Sequence, residues 1–207
     1  MDSGSPRAPH EESPLIMARF FWRFTCTVNG EPVPWLRRMD RRVFQYLLLM
    51  PQGHATREEL QAVFWHDQDA KAGQLSLRTA CSNIRKALGM VLGTEEAADY
   101  FASGNDLVSV NLELINVDVR RYIAHIRSAN IAHASADFKT ALVHLRRAMV
   151  IYRGHIGWGD EREPWLEPLA NECAELQRGA IERFAEIPRK NGIPPEDDEA
   201  STSRGEG

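Results

Sequence analysis

The sequence predicts an α+β protein: a small antiparallel sheet, three helices closed by a hairpin, and then an all-helical half. Three observations carry this. Residues 18–28 alternate with a period of two and run into Asn29-Gly30, the strongest short hairpin signal. Residues 40–112 hold three segments of helical periodicity and then a second turn flanked by β-formers. From Asp118 onward the pattern is helical only.

In the first run Phe20, Trp22, Phe24, Cys26 and Val28 alternate with Phe21, Arg23, Thr25 and Thr27, which predicts one strand followed by a return over Glu31–Trp35. Asp40 would cap a helix reaching about Met50, with Val43, Tyr46, Leu47 and Met50 on its apolar side and Pro51-Gln52-Gly53 stopping it. Thr56-Arg57-Glu58-Glu59 fits a capping box, in which the Thr56 hydroxyl accepts from the Glu59 N–H while the Glu59 carboxylate reaches back. That second helix carries Leu60, Val63 and Phe64 inward and gives way to a polar loop, His66–Gly73. A third helix is expected over Gln74–Leu88 with Gly89 as its C-terminal cap. Acidic linker residues lead to Tyr100–Phe101, a Ser103-Gly104-Asn105-Asp106 turn and Leu107–Val110, the second hairpin.

The helical half shows three stripes. They are Val119, Tyr122, Ile123 and Ile126, then Phe138, Ala141, Leu142, Leu145, Met149 and Tyr152, and lastly Trp165, Leu166, Leu169, Cys173 and Leu176, continuing through Ile181, Phe184 and Ile187. These are core faces rather than ligand sites. The ends, 1–14 and 188–207, are rich in Ser, Pro and charge and are expected to be disordered.

Composition narrows the function classes. With 207 residues, 43% of them hydrophobic and 26% charged, the chain is ordinary globular material with enough length for a core. Apolar runs such as Leu47–Met50 fall far short of the ~20 residues of a membrane span, so no membrane is expected as partner. The polar N-terminus lacks an apolar signal core, and Cys26, Cys81 and Cys173 are odd in number without metal-type spacing. Both features suit a cytoplasmic location. No glycine-rich phosphate loop, nucleophile motif or paired-carboxylate site is present, and His66-Asp67-Gln68-Asp69 lacks a further His or Cys to complete a metal set. No catalysis, cofactor or metal is therefore expected.

The net charge of −4 conceals a segregated distribution. Residues 37–90 carry nine basic and five acidic side chains, whereas 91–118 carry six acids and no Lys or Arg. Local charge sets the field met at close range, because salt screens beyond ~8–10 Å. The third helix is the most informative piece. At ~100° per residue Leu77, Cys81, Ile84 and Leu88 share one face, Thr79, Ser82, Asn83 and Lys86 lie roughly opposite, and Arg78 and Arg85 sit at the edges. Cations beside short hydrogen-bonding side chains, with no acid from Leu75 to Met90, are the chemistry of a groove reader.

The layout of short sheet, three helices and closing hairpin resembles an OmpR-type winged helix. The wording resembles in particular the version found in the SARP family of bacterial transcriptional activators. The residues that carry the likeness are Pro51 and Gly53, Thr56-Arg57-Glu58-Glu59-Leu60, Phe64-Trp65 and Arg85-Lys86-Ala87-Leu88-Gly89. Val117-Asp118-Val119, Ala141-Leu142 through Arg147-Ala148, Ile151-Tyr152-Arg153-Gly154, Trp158, Glu161-Arg162 and Trp165-Leu166 are similar to that family's tetratricopeptide-like activation domain. The resemblance implies a disordered start (1–14), a winged-helix DNA-binding domain (15–112), a shortened helical activation domain (113–187) and an acidic tail (188–207). It also implies double-stranded promoter DNA as partner. Arg78, Arg85 and Lys86 would meet phosphate or guanine, and Thr79, Ser82 and Asn83 would supply hydrogen bonds in the major groove. RNA polymerase would face the loop His66–Gly73, and the helical half would regulate the protein or form a homodimer. A second class stays open: the tip Asn105-Asp106-Leu107 and the lack of any cation from Glu95 to Asp118 suit an adaptor that no longer binds DNA.

Overall fold

A computed structural model describes residues 16–157 and 163–192. The expected first strand is in fact two, β1 (Ile16–Arg19) and β2 (Thr25–Val28), paired antiparallel with Ala18 opposite Cys26. The chain folds back around Trp22, which adopts φ 78°. The reason is burial. A strand sends neighbouring side chains to opposite faces, yet Phe20, Phe21 and Phe24 are all buried. Turning at Trp22 lets Phe20 pack on Phe24 (4.9 Å between ring centroids) while Phe21 meets Tyr122 and Tyr152 of the helical half. Asn29 and Gly30, both at positive φ, form the expected tight turn into β3 (Glu31–Pro32).

Helix α1 (Arg38–Leu49) buries Val43, Phe44, Leu47 and Leu48. Asp40 does not cap it; it lies in the first turn with its side chain inside. A short strand that the sequence pattern does not predict, β4 (His54–Thr56), leads to α2 (Arg57–Phe64), whose capping box forms as expected. Helix α3 is longer than predicted, Ala70–Leu92, with Asp69 accepting from the Ala72 N–H at its start. It runs through Gly89 because buried Leu92 still belongs to the core, and it stops at Gly93, where φ is 99°. The acidic linker contains a short helix, α4 (Ala97–Tyr100). The second hairpin, β5 (Phe101–Ser103) and β6 (Leu107–Val110), joins β4 in a three-stranded sheet ordered β4-β6-β5.

The next strand, β7 (Ile115–Val117), returns to the first sheet and pairs parallel with β1, giving the order β3-β2-β1-β7. Asp118 then opens α5 (Asp118–Ala134). Its buried carboxylate accepts hydrogen bonds from the Phe20, Phe21 and Val119 N–H groups at 2.9, 3.3 and 2.7 Å. Helices α6 (Phe138–Ile151) and α7 (Glu167–Asn191) complete the helical half. Buried alanines (Ala129, Ala132, Ala141, Ala148, Ala170 and Ala180) allow these helices to approach closely, and Tyr122 donates its hydroxyl to the Cys173 carbonyl at 3.3 Å. The predicted third stripe holds except at Ile181, which is 52% exposed while Ala180 takes the inner position. Helix α7 continues to Asn191, into the stretch expected to be disordered. Trp158 and Glu161-Arg162 lie outside the described residues, as do 1–15 and 193–207.

Besides the Phe21 and Asp118 contacts, polar clasps tie the helical half to the first half. Arg120 donates to the Met50 and Pro51 carbonyls at the end of α1 (3.0 and 2.6 Å). Glu163, buried, accepts from Arg42 of α1 at 2.5 Å and from the Trp165 indole at 3.1 Å, while the Trp165 ring packs on Tyr46 and Phe64. The architecture is thus a winged helix between two small sheets, followed by a packed helical region.

Candidate nucleic-acid interface

Helix α3 is positioned by its apolar face. Leu77, Cys81, Ile84 and Leu88 are buried as predicted, against α1, α2 and β5. The opposite face is left to solvent, and the structure puts Arg78, Ser82, Arg85 and Lys86 on it, all exposed, together with Lys71 and Gln74. No acidic residue lies anywhere in α3. Thr79 is half-buried and its hydroxyl donates to the Leu75 carbonyl at 3.0 Å, which leaves its lone pairs as acceptors only.

Asn83 must be removed from the predicted set. It is buried where α3 meets α1, beside the Asp40 carboxyl. Burial raises the pKa of Asp40, and the bonds from Asn83 and the Arg37 backbone oppose that rise without cancelling it. Helical angles alone put Asn83 roughly opposite the apolar stripe. Packing of α1 on α3 covers it, and a buried amide needs a polar neighbour such as Asp40.

The nine cations between 37 and 90 do not act together. Arg42 and Arg38 turn toward Glu163, at 2.5 and 3.7 Å, on the side occupied by the helical half. Arg57, to which the sequence pattern assigns no role, sits against the hairpin. Its Nε donates to the Gly104 carbonyl (3.0 Å), its Nη2 to Ser103 Oγ (3.2 Å), and its backbone N–H to the Asp106 carbonyl (3.0 Å). The hairpin contributes no cation of its own, but α2 brings one to its tip. Nothing in the sequence signals this, because Arg57 and Gly104 are 47 residues apart.

Between α2, α3 and this hairpin lies an open cleft of ≈ 300 Å³, polar in lining, with Arg57 and Arg78 as its cations and Glu58 as its acid. Gln61, Gln74 and Asn105 add amide groups. Facing it is the exposed stripe of α3, a helix about 34 Å long at ~1.5 Å per residue. A protruding helix with cations on one face, flanked by a hairpin, has the shape and charge to meet a groove and its phosphates.

The fold and this face together define a winged helix with an attached helical region. No family model matches the sequence, and no curated protein matches it. Among solved structures, EmbR of Mycobacterium tuberculosis, in complex with a low-affinity phosphopeptide, matches with a TM-score of 0.72 at 22% identity. The match covers 86% of this chain and 46% of the EmbR chain, so this chain spans about half of EmbR's length. At that identity the likeness shows the fold alone. Among the described residues no helix is long and apolar enough to cross a membrane.

Proposed function

We propose that this chain is a SARP-type transcriptional regulator that binds double-stranded promoter DNA through α3. One observation carries the reading: Arg78, Ser82, Arg85 and Lys86 share an exposed, acid-free helix face beside a hairpin braced by Arg57. In this reading α3 enters the major groove, its cations meet phosphate or guanine edges, Ser82 accepts or donates a hydrogen bond, and Thr79 accepts one. The part of the His66–Gly73 segment that precedes α3, His66 to Asp69, is exposed and is the surface offered to RNA polymerase, and the helical half regulates or dimerises the protein. The fold shared with EmbR supports a regulator and leaves DNA binding to be tested.

The test is in vitro selection of bound DNA followed by polarisation titrations over a salt series. Arg85→Ala with Lys86→Ala should weaken binding and lower the salt slope by about two, one for each phosphate no longer neutralised. An unchanged affinity and slope would remove α3 as the reader.

A second reading is favoured by the hairpin, where Asp106 is exposed at the tip and the strands carry no Lys or Arg. In it the winged helix is a protein-binding adaptor. It predicts no salt-dependent retention of DNA and a stable protein complex instead.

A further inference from the structure

A second cationic surface lies away from α3, on the helix pair α5–α6. The two helices and the turn between them carry Arg120, Arg121, Arg127, Lys139, Arg146 and Arg147 against Asp118 and Asp137. Neither acid offsets the surface: Asp118 is buried at the start of α5, and Asp137 caps α6 by accepting from the Thr140 N–H at 3.1 Å. Midway along the pair two histidines meet. His125 Nδ1 on α5 lies 3.1 Å from His144 Nδ1 on α6, with ring centroids 5.3 Å apart, and both residues are half-buried. Arg121 stands one turn before His125 and Arg147 one turn after His144, both exposed. Arg121 makes a long hydrogen bond, 3.5 Å, to the neutral Asn116 amide oxygen.

The charges that act on His125 include those of His144 and Arg147 from α6 and Arg121 from its own helix. Burial first, and then these cations, hold His125 below the usual imidazole range. Two guanidiniums stand around two facing imidazoles; an acid on the adjoining surface, Glu113, shares an open groove with Arg121.

We propose that Arg121, His125, His144 and Arg147 bind a phosphate-type dianion, as a site separate from the α3 face. With one proton shared, one Nδ1–H donates to the other ring and the pair is closed. A second proton removes that acceptor and leaves two N–H groups side by side, and one anionic oxygen seated beside the pair, at hydrogen-bond distance from both nitrogens, accepts from both once the rings turn toward it. The guanidiniums then supply charge-assisted bonds to the remaining oxygens. Two nitrogens 3.1 Å apart form a pincer for one compact anion rather than the extended track that a polyanion follows. Binding therefore takes up a proton and ties α5 to α6. The proposal does not rest on the reading of α3.

Isothermal titration of the full chain with inorganic sulfate, near pH 6 and near pH 8, tests it, because sulfate keeps both charges across the range in which imidazole titrates. Saturable one-to-one binding should tighten by up to about ten-fold per pH unit on acidification, as expected for one coupled proton. Arg121→Ala with Arg147→Ala should weaken it by about ten-fold or more, with unchanged circular dichroism since both side chains are exposed. His125→Gln with His144→Gln should abolish the pH dependence, while the two guanidiniums retain part of the affinity. Inorganic phosphate and phenyl phosphate, run in parallel, separate a site for the free anion from one for a phosphorylated molecule. Equal binding by the Arg121/Arg147 double variant overturns the proposal. So does loss of binding in an Arg78, Arg85 and Lys86 triple alanine variant. DNA retention abolished in the Arg121/Arg147 variant, with no sulfate binding by the parent chain, would overturn it and assign the cluster to nucleic acid.

Discussion

Asp118→Ala should cost about 3–5 kcal/mol of folding stability, a large share of the ~5–15 kcal/mol a domain of this kind possesses. The magnitude follows from what the carboxylate holds. Its Oδ1 accepts from the Phe20 and Val119 N–H groups at 2.9 and 2.7 Å, and its Oδ2 accepts from the Phe21 N–H at 3.3 Å. Phe20 and Phe21 are themselves buried, so water cannot take over, and each orphaned N–H costs roughly 1–3 kcal/mol. Asp118→Asn should be milder, about 1 kcal/mol, because Oδ1 keeps both of its bonds and only the longest one disappears. Two effects oppose each other at this carboxyl: burial raises its pKa, the three N–H groups lower it, and burial wins. A folded-state pKa above the unfolded value means that the native state binds more protons. Stability from this group is then fully present below the usual carboxylate range and lost as pH rises through the raised value. The gap between parent and Asp118→Asn should therefore narrow as pH rises across that window. Urea unfolding of the three proteins, followed by circular dichroism at several pH values, measures all of this. An alanine variant within about 1 kcal/mol of the parent, or an asparagine variant as damaged as the alanine one, would refute the reasoning.

Other substitutions probe the elements around the site. Gly53→Ala should destabilise by about 2 kcal/mol or more, since φ is 72° and the added Cβ would lie 2.7 Å from the Val110 carbonyl; faster amide exchange at Val110, whose N–H donates to Gly53, would show the hairpin's sheet loosening. Glu163→Gln should cost about 1–2 kcal/mol in thermal or urea unfolding, less than a fully buried pair because Arg42 and Arg38 retain 23% and 47% exposure. Adding Arg42→Met to that variant should recover part of the loss, as the remaining charge is removed. Thr56→Ala deletes the hydroxyl that accepts from the Glu59 N–H at 3.1 Å and should cost about 1 kcal/mol, read by denaturant midpoint.

By itself the sequence determined the features whose cause lies within a few residues. Asn29-Gly30 turns where both residues tolerate positive φ, Thr56 and Glu59 cap α2, and Leu77, Cys81, Ile84 and Leu88 recur at helical spacing and become the inner face of α3. The exposed cations Arg78, Arg85 and Lys86 follow from the same periodicity. Tertiary structure decided what depends on a distant partner. The strand over 18–28 breaks at Trp22 because Phe20 and Phe21 have buried partners in different halves of the chain. Asn83 leaves the candidate face because Asp40, on another helix, lies beneath it. Arg57 reaches the hairpin, and Glu163 takes Arg42 from the basic segment, across 47 and 121 residues. Periodicity reports which side of a helix is apolar; only packing decides which neighbour covers its border and which opposite charge each cation meets.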